Sequence, residues 1–163
     1  MILREPATAL DPRVRTKWLV ENLLLTGVVA ALVVGGSVAA AMLDATTVAW
    51  LVGGFGSLAV VVLAVLSVVA ARLDYRHFRY EVTDLGLYVA HGWVWRRYQV
   101  VPHARVQTVD TTSGPLMRAF GLVAVDVRTA SAHGGTSIPG LTSEVADRLV
   151  EELARRAGIE EGT

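Results

Sequence analysis

The stretch LLLTGVVAALVVGGSVAAAML (Leu23–Leu43), the turn DATT (Asp44–Thr47) and the stretch VAWLVGGFGSLAVVVLAVLSVVAA (Val48–Ala71) decide the architecture of this chain. The first run has 21 residues and the second 24, and neither holds a charge. At 1.5 Å rise per residue, a helix of either length exceeds the roughly 30 Å hydrocarbon core of a bilayer. The reading is a membrane hairpin over residues 18–71, with spans at about 23–43 and 48–71. It leaves a leader, 1–17, and a segment of one-domain size, 72–163.

Orientation follows from the flanking charges. Arg4, Arg13, Arg15 and Lys17 precede the first run, and Arg72, Arg76 and Arg79 follow the second. The connecting turn has no basic residue and carries Asp44. The positive-inside rule then places both termini in the cytoplasm, with Trp18 and Trp50 at interfacial depth. Ser37-Val38-Ala39 has the small residues of a signal-peptidase site. The long charged leader and the length of the apolar run point instead to an uncleaved, multi-pass hairpin.

Composition narrows the chemistry. With 15 basic and 15 acidic residues the formal net charge is zero, which gives no electrostatic footprint for nucleic acid. No cysteine is present, so disulfides, thiolate nucleophiles and Cys-ligated metals are excluded. Glu21 and Asn22 lie at the edge of the first span, within reach of water. The absence of ionisable groups deeper in either run argues against a proton-coupled transporter. Gly27, Ala31 and Gly35, then Gly53 and Ser57, form small-xxx-small rows, read first as the contact between the two spans of one hairpin.

Beyond the second span the pattern shortens. Tyr75–Thr83 is aromatic and β-branched, Asp84-Leu85-Gly86 is a turn, and Leu87–His91 and Trp93–Val101 continue a meander broken at Gly92. Val106–Thr112 reads as a strand after Pro102. Leu122–Thr129 alternates Val123, Val125 and Val127 against Ala124, Asp126 and Arg128, the period of a half-buried strand. His133–Thr136 is expected to turn, and Thr136–Pro139 to form a last short strand. A closing helix of about sixteen residues would start at Thr142, bury Val145, Leu149 and Leu153, and stop at Gly158. The expected fold is a mainly-β domain, a curved sheet or partly open barrel, capped by a C-terminal helix.

Four segments carry a family resemblance. They are Tyr80–Leu87 (YEVTDLGL), Val101–Val109 (VPHARVQTV), Gly114–Leu122 (GPLMRAFGL) and Ile138–Leu141 (IPGL). In this order, behind two spans, the chain resembles the bacterial pleckstrin-homology-like membrane proteins of the YdbS type, carriers of the bPH2 domain. The resemblance implies a cytoplasmic, membrane-tethered PH-like fold and supplies neither an enzymatic activity nor an established ligand. It singles out Pro102, Arg105, Gln107, Gly114, Pro115, Leu116, Arg118, Phe120, Gly121, Pro139 and Gly140 as motif residues, with Arg105 and Arg118 expected to be structural. The leader, with Pro6 and Pro12, looks idiosyncratic and partly disordered.

Catalytic constellations do not assemble from these residues. His77, His91, His103 and His133 lack short ligand spacing, so no metal or other cofactor is expected. Ser113, Ser131 and Ser137 have no nucleophile-elbow context, and Gly134-Gly135-Thr136 lacks the lysine of a phosphate loop. Asp110 and Asp126 could be close across a sheet, and fit strand carboxylates that face solvent or pair with Arg105 or Arg128.

The expected function is therefore non-catalytic: a PH-like domain held at the inner leaflet to bind a partner protein through a sheet edge or strand–helix groove. The partner would be another copy, a second PH-like membrane protein, or a cytoplasmic protein. The resemblance associates such proteins with envelope stress and antibiotic resistance. Two rivals stand beside this reading. In one, Arg72, Arg76, Arg79, Arg96 and Arg97 bind anionic lipid, with Trp93 and Trp95 at headgroup level; the reading preferred for the two tryptophans, which share a strand face, is the core. In the other, the spans assemble a homo-oligomeric scaffold.

Overall fold

A computed structural model describes residues 5–130 and 134–158. The chain divides into two compact units: residues 18–72, and residues 1–17 together with 73–163. The expected turn at His133, and Ser131, lie outside the described residues.

Residues 18–72 hold most of two long helices, α1 (Arg13–Met42) and α2 (Thr46–His77), each long and apolar enough to cross a membrane. Both are longer than the apolar runs, because α-helical hydrogen bonding continues through polar flanks as readily as through apolar ones. The turn between them is a helix C-cap built on Asp44, which takes φ +57° in the place usually given to glycine. Asp44 N–H donates to the Ala41 carbonyl at 3.2 Å and Ala45 N–H to Ala40 at 3.0 Å, the paired bonds of a Schellman motif.

The two helices meet at small residues, though not at all those singled out. The space beside Gly56 is filled by Val33, and Gly53 stands against Ser37. Thr26 and Ser67 hydroxyls lie 3.4 Å apart across the pair. Gly27 and Gly35 have nothing within 4 Å of a β-carbon position, so they do not serve the hairpin contact.

The other unit is mainly β. One sheet has the order β1-β2-β3-β4, from Thr8–Ala9, Arg79–Val82, Gly86–His91 and Arg97–Pro102. The second has the order β5-β6-β7, from Val106–Thr112, Val123–Thr129 and Thr136–Leu141. All pairings are antiparallel, and the sheets do not close into a barrel. A 3-10 turn, His103–Arg105, joins the sheets, α3 (Pro115–Ala119) connects β5 to β6, and α4 (Ser143–Ala157) closes the chain. Leu87, Val89, Val101, Leu122, Val125, Val127, Ile138 and Leu153 are fully buried and form the core.

Several expectations shift. Helix, not strand, occupies the chain up to His77, because Phe78 N–H still donates to Asp74 at 2.9 Å and the His77 ring lies 2.7 Å from the Leu73 carbonyl. Trp93–Arg96 forms a hairpin connection rather than the start of a strand. Gly92, at φ +88°, sits so close to the Trp95 carbonyl that the chain must turn there, and pairing resumes at Arg97. On α4 the buried face is Ala146, Leu149 and Leu153, while Val145 is exposed. Thr142 caps the helix through its carbonyl, which accepts from Ala146 N–H, with no side-chain cap bond.

The described part of the leader is packed against the β unit. Pro6, Leu10, Val14 and Lys17 are buried. Thr8 and Ala9 pair with Tyr80 and Arg79, extending the first sheet. Ala7 N–H donates to Glu81, Tyr75 Oη to the Leu10 carbonyl, and Asp11 N–H to the Gly140 carbonyl of β7.

Candidate functional site

The motif residues build turns and an edge. Gly114 and Pro115 open α3 with proline at its first position, where a missing N–H costs nothing. Phe120 and Gly121 close it: Gly121, at φ +65°, donates to Arg118 at 3.0 Å, and Leu122 donates to Met117 at 2.8 Å. This second Schellman cap explains the spacing of glycine and leucine in the motif. Ser113 Oγ donates to the Leu122 carbonyl at 2.9 Å, tying both ends of the connection together. Leu116, Met117 and Phe120 remain half-exposed around the exposed Arg118.

Pro102 ends β4, and Arg105 and Gln107 are exposed where β5 begins. With Ala104, Val106, Thr129 and Ala130 they line a hollow of about 380 Å³. Beyond Val106, most of β5 is exposed, and its outer edge pairs with no described strand. Pro139 and Gly140 lie in β7, where Gly140, at φ +73°, faces the Val14 side chain.

A second, open groove of about 730 Å³ is lined by Asp84, Pro102, His103 and Arg156, among others. The Thr83 carbonyl lies 2.8 Å from His103 Nε2 and accepts from Arg156 Nη1 at 2.9 Å. Arg156 also pairs with Asp84 and Glu152, so its charge fastens the end of α4 to the β2–β3 turn. The His103 Nδ1 and the Tyr88 hydroxyl are buried without a partner among the described residues.

The arginines weighed as lipid ligands are in different situations. Arg72 and Arg76 are exposed on α2. Arg79 is half-buried and donates to the Tyr75 and Phe78 carbonyls, at 3.4 and 2.8 Å. Arg96 is bound by Glu5 at 2.6 Å and lies 5.8 Å over the Tyr98 ring. Arg97 is exposed and makes no ion pair among the described residues. Its charge, after burial, is the lesser of two causes that lower the pKa of His91, the residue opposite it.

Trp93 and Trp95 overturn the expectation of a core position: they are 47% and 86% exposed, with Val94 exposed between them. Strand periodicity was misleading because Gly92 ends the strand before the tryptophans. The glycine next to an aromatic-valine-aromatic run, followed by two arginines, was the available signal for a loop tip.

The remaining candidates have structural partners. Asp110 and Asp126 stand directly opposite in register. Asp110 pairs with Arg128 at 3.7 Å, and Asp126 accepts from Thr112 at 2.8 Å. The Gly134 and Gly135 carbonyls accept from Gln99 Nε2 on β4. Among the described residues no group of three His, Asp or Glu side chains converges to hold a metal.

Two helices of membrane-spanning length, joined to a two-sheet β unit with a C-terminal helix, define a membrane-tethered PH-like protein. The chain belongs to the bacterial PH domain family, whose model matches residues 19–157. It is 32% identical over 110 residues to the UPF0699 transmembrane protein YdbS of Bacillus subtilis, covering 68% of each chain. It is 28% identical over 104 residues to the UPF0699 transmembrane protein YdbT of the same organism, covering 63% of this chain and 21% of that one. Neither name states an activity or ligand. No solved structure matches the chain.

Proposed function

We propose that this protein is a non-catalytic adaptor of the bacterial cytoplasmic membrane. It crosses the bilayer twice with both termini cytoplasmic, and its PH-like domain receives an extended segment of a partner protein. The observation that carries the reading is the outer edge of β5. A strand edge with no neighbour presents unpaired N–H and C=O groups, and an added strand satisfies them while side-chain pockets select its sequence. Arg105 and Gln107, with the hollow beside them, supply such a selecting feature at the start of the strand. The basic flanks of the helices support the orientation.

The test is photocrosslinking in cells. A photoreactive amino acid at Gln107 or Thr111 should yield one discrete heterologous adduct. The same group at Glu151, exposed on α4, should not. Equal labelling from all three positions, or none from β5, refutes the adaptor reading. A self-adduct from β5 would replace it with the oligomeric scaffold.

A further inference from the structure

The Trp93-Val94-Trp95 tip is an apolar surface for which the fold itself has no use. Core residues on β3 end before it, and β4 begins after it. Nevertheless it is a built turn, held by Gly92 in the left-handed region against the Trp95 carbonyl. Contiguous exposed tryptophan and valine mark an interaction surface. Indole rings, apolar with one N–H donor, are enriched at the level of lipid headgroups.

Register places this tip. Arg79, the first residue of β2, pairs with Ala90, and His91 pairs with Arg97. The β3–β4 tip therefore lies at the end of its sheet where the chain arrives from α2. Phe78, immediately after α2, stacks on His91 with ring centres 6.1 Å apart. A second apolar turn, α3, stands similarly at the second sheet. Its Gly121 cap lies near Arg13, the first residue of α1, with Leu116, Met117 and Phe120 half-exposed beside Arg118.

We propose that the Trp93–Trp95 tip is an interfacial membrane contact, seated in the headgroup layer of the anionic leaflet, with Arg97 on lipid phosphates. The occupant is a bilayer because the same chain carries two spans, because cationic Arg97 complements anionic lipid, and because the tip stands at the tethered end of its sheet. An arginine near such a surface strengthens binding by about fivefold. The contact does not depend on whether β5 receives a partner, and α3 with Arg118 is its second point.

The chain has four tryptophans, so Trp18→Phe with Trp50→Phe leaves the tip as the sole indole signal. This full-length variant is placed in nanodiscs of phosphatidylcholine and phosphatidylglycerol with brominated acyl chains. The expected result is blue-shifted emission, at least halved by the brominated lipid and little affected by iodide. Emission quenched by iodide and untouched by bromolipid overturns the proposal. Shielding from both quenchers also overturns it, since the tip would then be covered by protein. Circular dichroism and a wild-type-like size-exclusion profile verify folding. Arg97→Gln should reduce bromolipid quenching in anionic discs but leave it unchanged in pure phosphatidylcholine. Equal quenching for both proteins in anionic discs overturns the role of Arg97.

Discussion

Gly121, Gly140 and Gly158 share almost one backbone conformation, at φ +65°, +73° and +69°, and differ in what surrounds them. A β-carbon at Gly158 would meet nothing within 4 Å, and at Gly121 only the Arg13 guanidinium, at 3.8 Å. At Gly140 it would collide with the Val14 side chain. Alanine at Gly121 or Gly158 should therefore cost only the left-handed conformation, about 1–2 kcal/mol. At Gly140 the same cost is joined by an overpacking cost of about 1–3 kcal/mol, because Val14 is fully buried and has no free volume to move into. The total is about 2–5 kcal/mol. Native-state amide exchange of β6 and β7, in the full chain held in nanodiscs, measures these costs as changes in opening equilibrium. Gly121→Ala should raise exchange about 5–30-fold, with Gly140→Ala well beyond that range. Equal effects at the two positions would mean that Val14 does not pack on β7, and the leader would then be no part of the domain.

Leu153→Ala, which empties a fully buried site on α4, should destabilise the same strands by about 2–5 kcal/mol. Val145→Ala on the exposed side should change them by less than about 0.5 kcal/mol. In the helix pair, Gly56→Leu should disrupt packing against Val33, whereas Gly27→Leu and Gly35→Leu leave it intact; a disulfide reporter between engineered cysteines in α1 and α2 distinguishes them. His91 carries a pKa lowered first by burial and then by Arg97, so its folded state resists protonation more than the unfolded chain. Its stabilising share should be complete above the ordinary value of 6.5 and decline as pH falls from there toward the lowered folded pKa. His91→Gln should flatten that part of a stability-versus-pH curve, and an unchanged slope would contradict the assignment.

Much of this architecture follows from the linear chain, because membrane spans, turn glycines and strand alternation are local signals. Two uncharged runs longer than a bilayer core read as helices, since lipid requires the backbone to be satisfied internally and two segments cannot close a barrel. The Gly114–Leu122 motif reads as a turn because its proline and glycine occupy the two ends of one short helix, and Val123–Val127 alternate as strands do. Three features were decided by tertiary structure alone. The leader became part of the domain because Leu10 and Val14 find their burial against elements far along the chain. Trp93 and Trp95 became a loop tip because pairing of β3 with β4 stops at His91 and Arg97, and strand pairing is a non-local choice. Arg96, legible only as a charge, is bound by Glu5, a partner 91 positions away. Local physics specifies which elements form, whereas which faces are covered, and therefore which residues are left to meet a membrane or a partner, depends on contacts that close only when distant segments meet.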